Sequence, residues 1–167
     1  MDFNALVATA ARIGEQLKAR GETVVVSESS AGGLISAALL AVPGASAWYL
    51  GGAVVYTRRA RKVIAGIEKE QLTGMRSASE PYALLLASTS RERMRASWGL
   101  SETGASGPSG NAYGDSPGHS CIALSGPCEQ ALTLETGSAD RVANMFEFTA
   151  RALALFEEVL GQATPAL

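Results

Sequence analysis

Apolar residues at Phe3, Leu6, Val7, Ala10, Ile13 and Leu17 recur at steps of three and four. That spacing predicts an amphipathic helix ending at Arg20, with Gly21 turning the chain out of it. Val24-Val25-Val26 is short and β-branched and predicts a buried strand. A Ser-rich turn and Gly32-Gly33 lead into a second apolar helix, which runs to about Ala41 before Pro43-Gly44 breaks it. Ser29 or Ser30 is read as the N-cap of that helix. Gly44 to Ala47 forms a small-residue turn, and Ala53-Val54-Val55-Tyr56 predicts the next strand. Thr57 can cap a helix carrying Arg58, Arg59, Arg61 and Lys62, and Gly66 to Met75 is a connector. Ser79-Glu80-Pro81 starts a helix that reaches about Ala96.

In the second half, Trp98 to Thr103 predicts a strand and Gly104 to Gly118 a long glycine-rich loop. A loop of that length inside a compact domain points to function or disorder, and Tyr113 and Asp115 within it favour function. His119 to Leu124 and Ala131 to Leu134 form a strand pair around the Gly126-Pro127 turn. Ser138 opens the last helix, whose Val142, Met145, Phe146, Thr149, Leu153, Phe156 and Leu160 make one core-facing stripe. The tail from Gln162 is expected to fray. Strands alternating with helices, then a late hairpin, predict an α/β fold: one three-layer α/β/α domain over 1–167 with a mostly parallel mixed sheet carrying one antiparallel strand. Ligands of such sheets bind beyond the carboxyl ends of the strands. Glu28 to Gly33, Tyr56 to Lys62 and Thr103 to Gly118 should meet there. Glu28, the only charge between Glu22 and Arg58, is either a functional group or a cap for the following helix.

Composition narrows the field. With 167 residues, a formal net charge of −2, 47% hydrophobic and 18% charged residues, the chain should fold around a full core. The near-neutral charge gives no argument for nucleic acid or an acidic membrane. No apolar run spans a bilayer and the N-terminus lacks a signal pattern, so a cytoplasmic protein is expected. Cys121 and Cys128 read as reduced thiols, and one histidine, His119, excludes a multi-histidine metal site. Walker, GxGxxG and G-x-S-x-G motifs are missing, and no cofactor or metal is expected. A serine nucleophile with a helper other than histidine stays open.

Blocks in order along the whole chain resemble the CinA C-terminal family, whose characterised members are nicotinamide-mononucleotide deamidases of the PncC type. The block A-E-S-C-T-G-G-L stands as Ser27 to Leu34, and G-S-S-A as Gly44 to Ala47. G-x-V-x-Y-S-N-E-A-K stands as Gly52 to Arg61, and V-S-E as Ala78 to Glu80. T-G-I-A-G-P stands as Thr103 to Pro108, P-V-G-T resembles Ser116 to His119, and G-D-R survives as Ala139-Asp140-Arg141. The large N-terminal domain often fused to this module is not expected. The resemblance implies a serine amidohydrolase acting on a mononucleotide or other small amide. Ser46 would attack the carboxamide carbon, assisted by Tyr56, with the base at the position of Arg61. It implies substrate contacts from Glu28, Ser29, Ser30, Gly32, Gly33, Arg58, Thr103, Gly104 and Gly107. Here Arg61 replaces the family lysine, Arg58 its asparagine and Ala31 a threonine, so the site keeps a ligand shape while losing an amine base. A non-catalytic nucleotide-binding module is the alternative. Small-residue and apolar helix faces permit a homo-oligomer.

Overall fold

The structure, a computed structural model, describes residues 2–163. The tail that should fray lies for the most part outside those residues. Five strands, β1 (Val24–Glu28), β2 (Tyr49–Val54), β3 (Trp98–Ala105), β4 (His119–Ser125) and β5 (Gln130–Glu135), form one sheet in the order β2-β1-β3-β4-β5. β1 pairs in parallel with β2 and β3, while β4 runs antiparallel to both β3 and β5. Four strands therefore share a direction and β4 opposes them, the mixed sheet expected.

Helices α1 (Phe3–Arg20), α2 (Leu34–Leu40) and α5 (Arg141–Gln162) pack together on one face, and α4 (Glu80–Met94) covers β1, β3 and β4 from the other. The core holds Leu6, Ile13, Leu17, Val24, Val26, Ile35, Trp98, Phe148 and Phe156, all removed from solvent. Trp98 meets Phe156 edge to face at 5.7 Å, the arrangement the ring quadrupoles favour. The α1 stripe ends as its pattern predicts: Gly21 takes φ 63°, and its N–H reaches the carbonyls of Leu17 and Lys18.

Several boundaries differ from expectation. β2 starts at Tyr49 and ends at Val54, because Val24 N–H already takes the Trp48 carbonyl and the parallel register follows from there. Gly52 lies within this strand because a Cβ would stand 2.1 Å from the Ser36 hydroxyl on α2. The arginine-bearing helix is only one turn, α3 (Arg58–Ala60), continued as a π-turn over Arg61–Ala65. α4 stops at Met94, since Arg95 adopts the left-handed conformation. The N-cap of α5 is Asp140, whose carboxylate accepts from Ala143 N–H at 3.0 Å, while Ser138 accepts from Asp140 N–H. Among the described residues no helix is long and apolar enough to cross a membrane.

α4 packs directly on Gly99 of β3, where a Cβ would lie 2.1 Å from the Ala87 carbonyl. Gly99→Ala should lower stability by about 1–3 kcal/mol, because helix and strand must separate. Gly161→Ala meets nothing within 4 Å and should be neutral or gain up to about 1 kcal/mol. Urea midpoints at unchanged slope give both numbers.

Candidate functional site

The turn leaving β1 is built on two buried carboxylates. α2 has no side-chain cap, because its N-cap position is Gly33, with φ 100°. Glu28 performs the task from below: it accepts from the backbone N–H of Gly33 (2.9 Å), Ile35 (3.1 Å) and Ser36 (2.9 Å), and from the Ser36 hydroxyl. Neither Ser29 nor Ser30 is the cap. Glu102, at the matching end of β3, accepts from Ser29 N–H at 3.1 Å, Ala31 N–H at 2.8 Å and the hydroxyls of Ser30 and Ser120. Both carboxylates are fully buried. Seven donors from residues 29–36 thus converge on two carboxyl groups, and Ser29 lines the cleft beyond.

The second turn follows β2. The Thr57 hydroxyl accepts from Ala60 N–H at 3.1 Å and starts the short helix. Arg58 and Arg61 then line the cleft. Lys62 turns outward to Glu68, 3.1 Å away, and is two-thirds exposed. The π-turn does not carry its amine inward. The Arg61 Nε is buried and unpartnered among the described residues.

The long loop is ordered by its own polar side chains. Asn111 Oδ1 accepts from Tyr113 N–H at 3.0 Å and Asp115 N–H at 3.2 Å, and its amide donates to Asp115 at 2.8 Å. Arg76 grips Asp115 with two nitrogens, at 2.5 and 3.0 Å. His119 stands 3.6 Å from the same carboxylate, takes Glu135 on its other nitrogen and meets the Ala78 carbonyl at 2.9 Å. Burial pushes Asp115 upward, but Arg76, Asn111 and His119 together hold it below its ordinary range. The loop is therefore strapped to the segment that precedes α4.

These three turns do meet. They line a cleft of 240 Å³ that includes Ser29, Tyr56, Arg58, Arg61, Thr103 and Gly104, with Tyr82 and Tyr113 as aromatic walls. An adjoining cavity of 200 Å³ shares Tyr56, Gly104 and Asn111 and adds Ser30, Gly107 and Arg141. Arg141 donates to the Tyr56 hydroxyl at 3.2 Å and to the Gly107 carbonyl at 2.5 Å. No Asp or Glu lines either space, so the site is cationic. A larger groove between β2, the π-turn and α4 is mostly apolar and holds no comparable cluster. Among the described residues no group of His, Cys, Asp and Glu is arranged to hold a metal.

The expected constellation is only partly assembled. Ser46 sits in a single 3₁₀ turn before β2, next to the N-terminal end of the sheet, whereas Tyr56 follows the C-terminal end. The strand between them alone spans roughly 17 Å. Within one chain Ser46 cannot reach Tyr56 or Arg61, a correction to the expected arrangement. Glu28, Gly32 and Gly33 shape the first turn but do not line the cleft: Glu28 is spent on capping, and Gly32 faces Met145 on α5. Tyr82, Asn111 and Arg141 are additional lining residues. The remnant Asp140-Arg141 pair was the one sequence signal that pointed to Arg141.

A profile of the CinA C-terminal domain matches residues 7–160. The chain belongs to the CinA C-terminal domain family. CinA-like proteins of Prochlorococcus marinus and Myxococcus xanthus are 39% and 38% identical to it over 111 and 140 residues, covering 66% and 81% of the chain but 26% and 33% of those proteins. The chain spans about a quarter to a third of the length of these relatives. Among solved structures, the competence/damage-inducible protein CihA of Agrobacterium tumefaciens superposes with TM-score 0.85 at 28% identity, over 94% of this chain and 96% of that one. A CinA superfamily protein of Klebsiella pneumoniae gives TM-score 0.88 at 23% identity, over 95% and 99%, a likeness of fold.

In this CinA-family chain, burial raises the pKa of Glu102 above the ordinary carboxylate range, although the Ser30, Ala31, Ser29 and Ser120 donors pull it back. A raised carboxylate is easiest to bury when protonated, so its contribution is complete at low pH and declines as pH rises through the folded-state pKa. Glu102→Gln can keep the same shape, accepting from the two backbone N–H groups and donating to the two hydroxyls. The variant should match wild type near pH 4 and unfold at higher urea than wild type near pH 8, measured by urea titration across that range.

Proposed function

We propose that this chain hydrolyses the carboxamide of nicotinamide mononucleotide or a closely related mononucleotide amide, with Ser29 as the nucleophile. The observation that carries this reading is the convergence of three turns on one cationic cleft that Ser29, Arg58 and Arg61 all line. Two adjoining spaces suit a two-part ligand. The aromatic walls of Tyr82 and Tyr113 would take a ring amide, and the glycine-rich loop with Arg141 would take a phosphate. Family membership supports the same chemistry. Ser29 attack on the carbonyl carbon would release ammonia, and water would then free the acid from the serine ester.

Arg61 favours a second reading, binding without turnover. A guanidinium stays protonated and cannot accept the serine proton. The two readings separate in one assay. Incubation with nicotinamide mononucleotide should release ammonia, and Ser29→Ala should abolish it while still binding the nucleotide by calorimetry. Binding at millimolar ligand with no ammonia above the Ser29→Ala background would select the second reading. Arg141→Ala should weaken binding about tenfold or more in either case, as expected for a lost charge-assisted phosphate contact.

A further inference from the structure

The long loop and the segment before α4 meet at one imidazole. His119 is the single histidine of the chain, and it is buried at the start of β4. Both of its ring nitrogens face oxygens that can only accept. Nδ1 meets the Glu135 carboxylate on β5, and Nε2 meets the Ala78 backbone carbonyl at 2.9 Å and the Asp115 carboxylate at 3.6 Å. A neutral imidazole carries one N–H, so in either tautomer it would turn a lone pair on one of these acceptors. An imidazolium has two N–H groups and satisfies both sides. The other groups of this corner do not compete for the role. Arg76 is committed to Asp115. Burial pushes the Cys121 thiol, 3.6 Å from Nε2, upward, so it stays protonated. Glu80 at the start of α4 accepts from Thr133 on β5, and Ala105, the partner of His119 on β3, brings no charge.

What the imidazole holds is cleft wall. Ala78 takes φ 54°, a left-handed backbone that a residue with a Cβ adopts only at a cost, so its carbonyl has to be fixed from outside. Ser77 and Ala78 line the cleft together with Ser29, Arg58 and Arg61. Asp115 carries the Asn111 contacts that shape the loop, and Asn111 and Tyr113 line the same cleft. Resting on the nucleotide binding proposed above, we infer that His119, as an imidazolium, is a positioning residue of the cleft: one proton ties the Ala78 wall, the loop at Asp115 and β5 at Glu135 into the arrangement that takes the mononucleotide. Burial works against the charged ring, but Glu135, the Ala78 carbonyl and Asp115 together hold its pKa above the ordinary histidine range. The clamp is therefore complete below that ordinary range and is lost as pH rises through the folded-state value.

The test is calorimetry of Ser29→Ala, which removes turnover, with nicotinamide mononucleotide between about pH 6 and 9. Affinity should fall about tenfold as His119 loses its proton. With His119→Gln added, affinity should be low and level throughout; titration of the ligand phosphate is common to both proteins and cancels. Glu135→Gln, at a side chain 57% exposed, should move the fall to lower pH, because the anion that favours the imidazolium is gone. By reciprocity, proton NMR of the one imidazole should show its pKa raised by about one unit when the nucleotide is bound. A fall that His119→Gln leaves unchanged, or a His119 pKa that the nucleotide does not move, overturns the inference and leaves the hydrolase reading intact, since ammonia release tests that separately. Should His119→Gln not fold, an unmoved fall in Glu135→Gln overturns it instead. Should no nucleotide bind at any pH, the hydrolase reading falls and amide exchange decides. Protection of residues 104–118, corrected for the intrinsic rate, should drop across the His119 titration in the wild type and stay level in His119→Gln; equal profiles in the two overturn the positioning role.

Discussion

Everything at this sheet edge depends on how backbone donors are satisfied where β1 gives way to α2. The turn is buried, α2 is short, and its N-cap residue has no side chain. An unpaired buried N–H costs about 1–3 kcal/mol, so several left open would be ruinous for a domain of marginal stability. Glu28 and Glu102 absorb that demand from beneath. The arrangement buries two carboxyl groups and returns a rigid turn. That rigidity fixes the Ser29 backbone at the cleft wall.

The other two walls are held by different means. Behind α3 the chain winds as a π-turn, a form that often marks functional positions, with Arg61 lining the cleft and Lys62 turned out to Glu68. The long loop has no regular structure, so its order comes from Asn111, Asp115, Arg76, His119 and Glu135 in one connected network. Arg76 connects two roles by gripping Asp115 and covering the Tyr113 ring. Loss of that grip would release both the loop and the aromatic wall.

The electrostatic character of the cleft follows from where charge is buried and where it is not. The carboxylates lie under the backbone, already paid out to N–H donors. The guanidiniums line the open space and face no acid there. Such a cleft attracts an anion and favours the charged form of an acidic group near it. The first consequence suits a phosphate-bearing ligand.

Periodicity was enough to determine α1, β1, α4, β3 and the late hairpin, because each follows from local pattern; which strand runs against the others was left to the fold. Family membership and the three turns were legible too, since they are runs of consecutive residues. The strand β2 was displaced because its start is set by pairing with Val24, not by its own apolar run. The role of Glu28 was legible only as two alternatives, and burial decided for the cap. Ser46 and Tyr56 lie in neighbouring blocks of sequence, yet a strand between them carries the two to opposite ends of the sheet. Sequence by itself supplied the residue types and their order. Tertiary structure alone decided which of them share a cleft, because side-chain direction depends on strand register and helix winding, which no short motif contains.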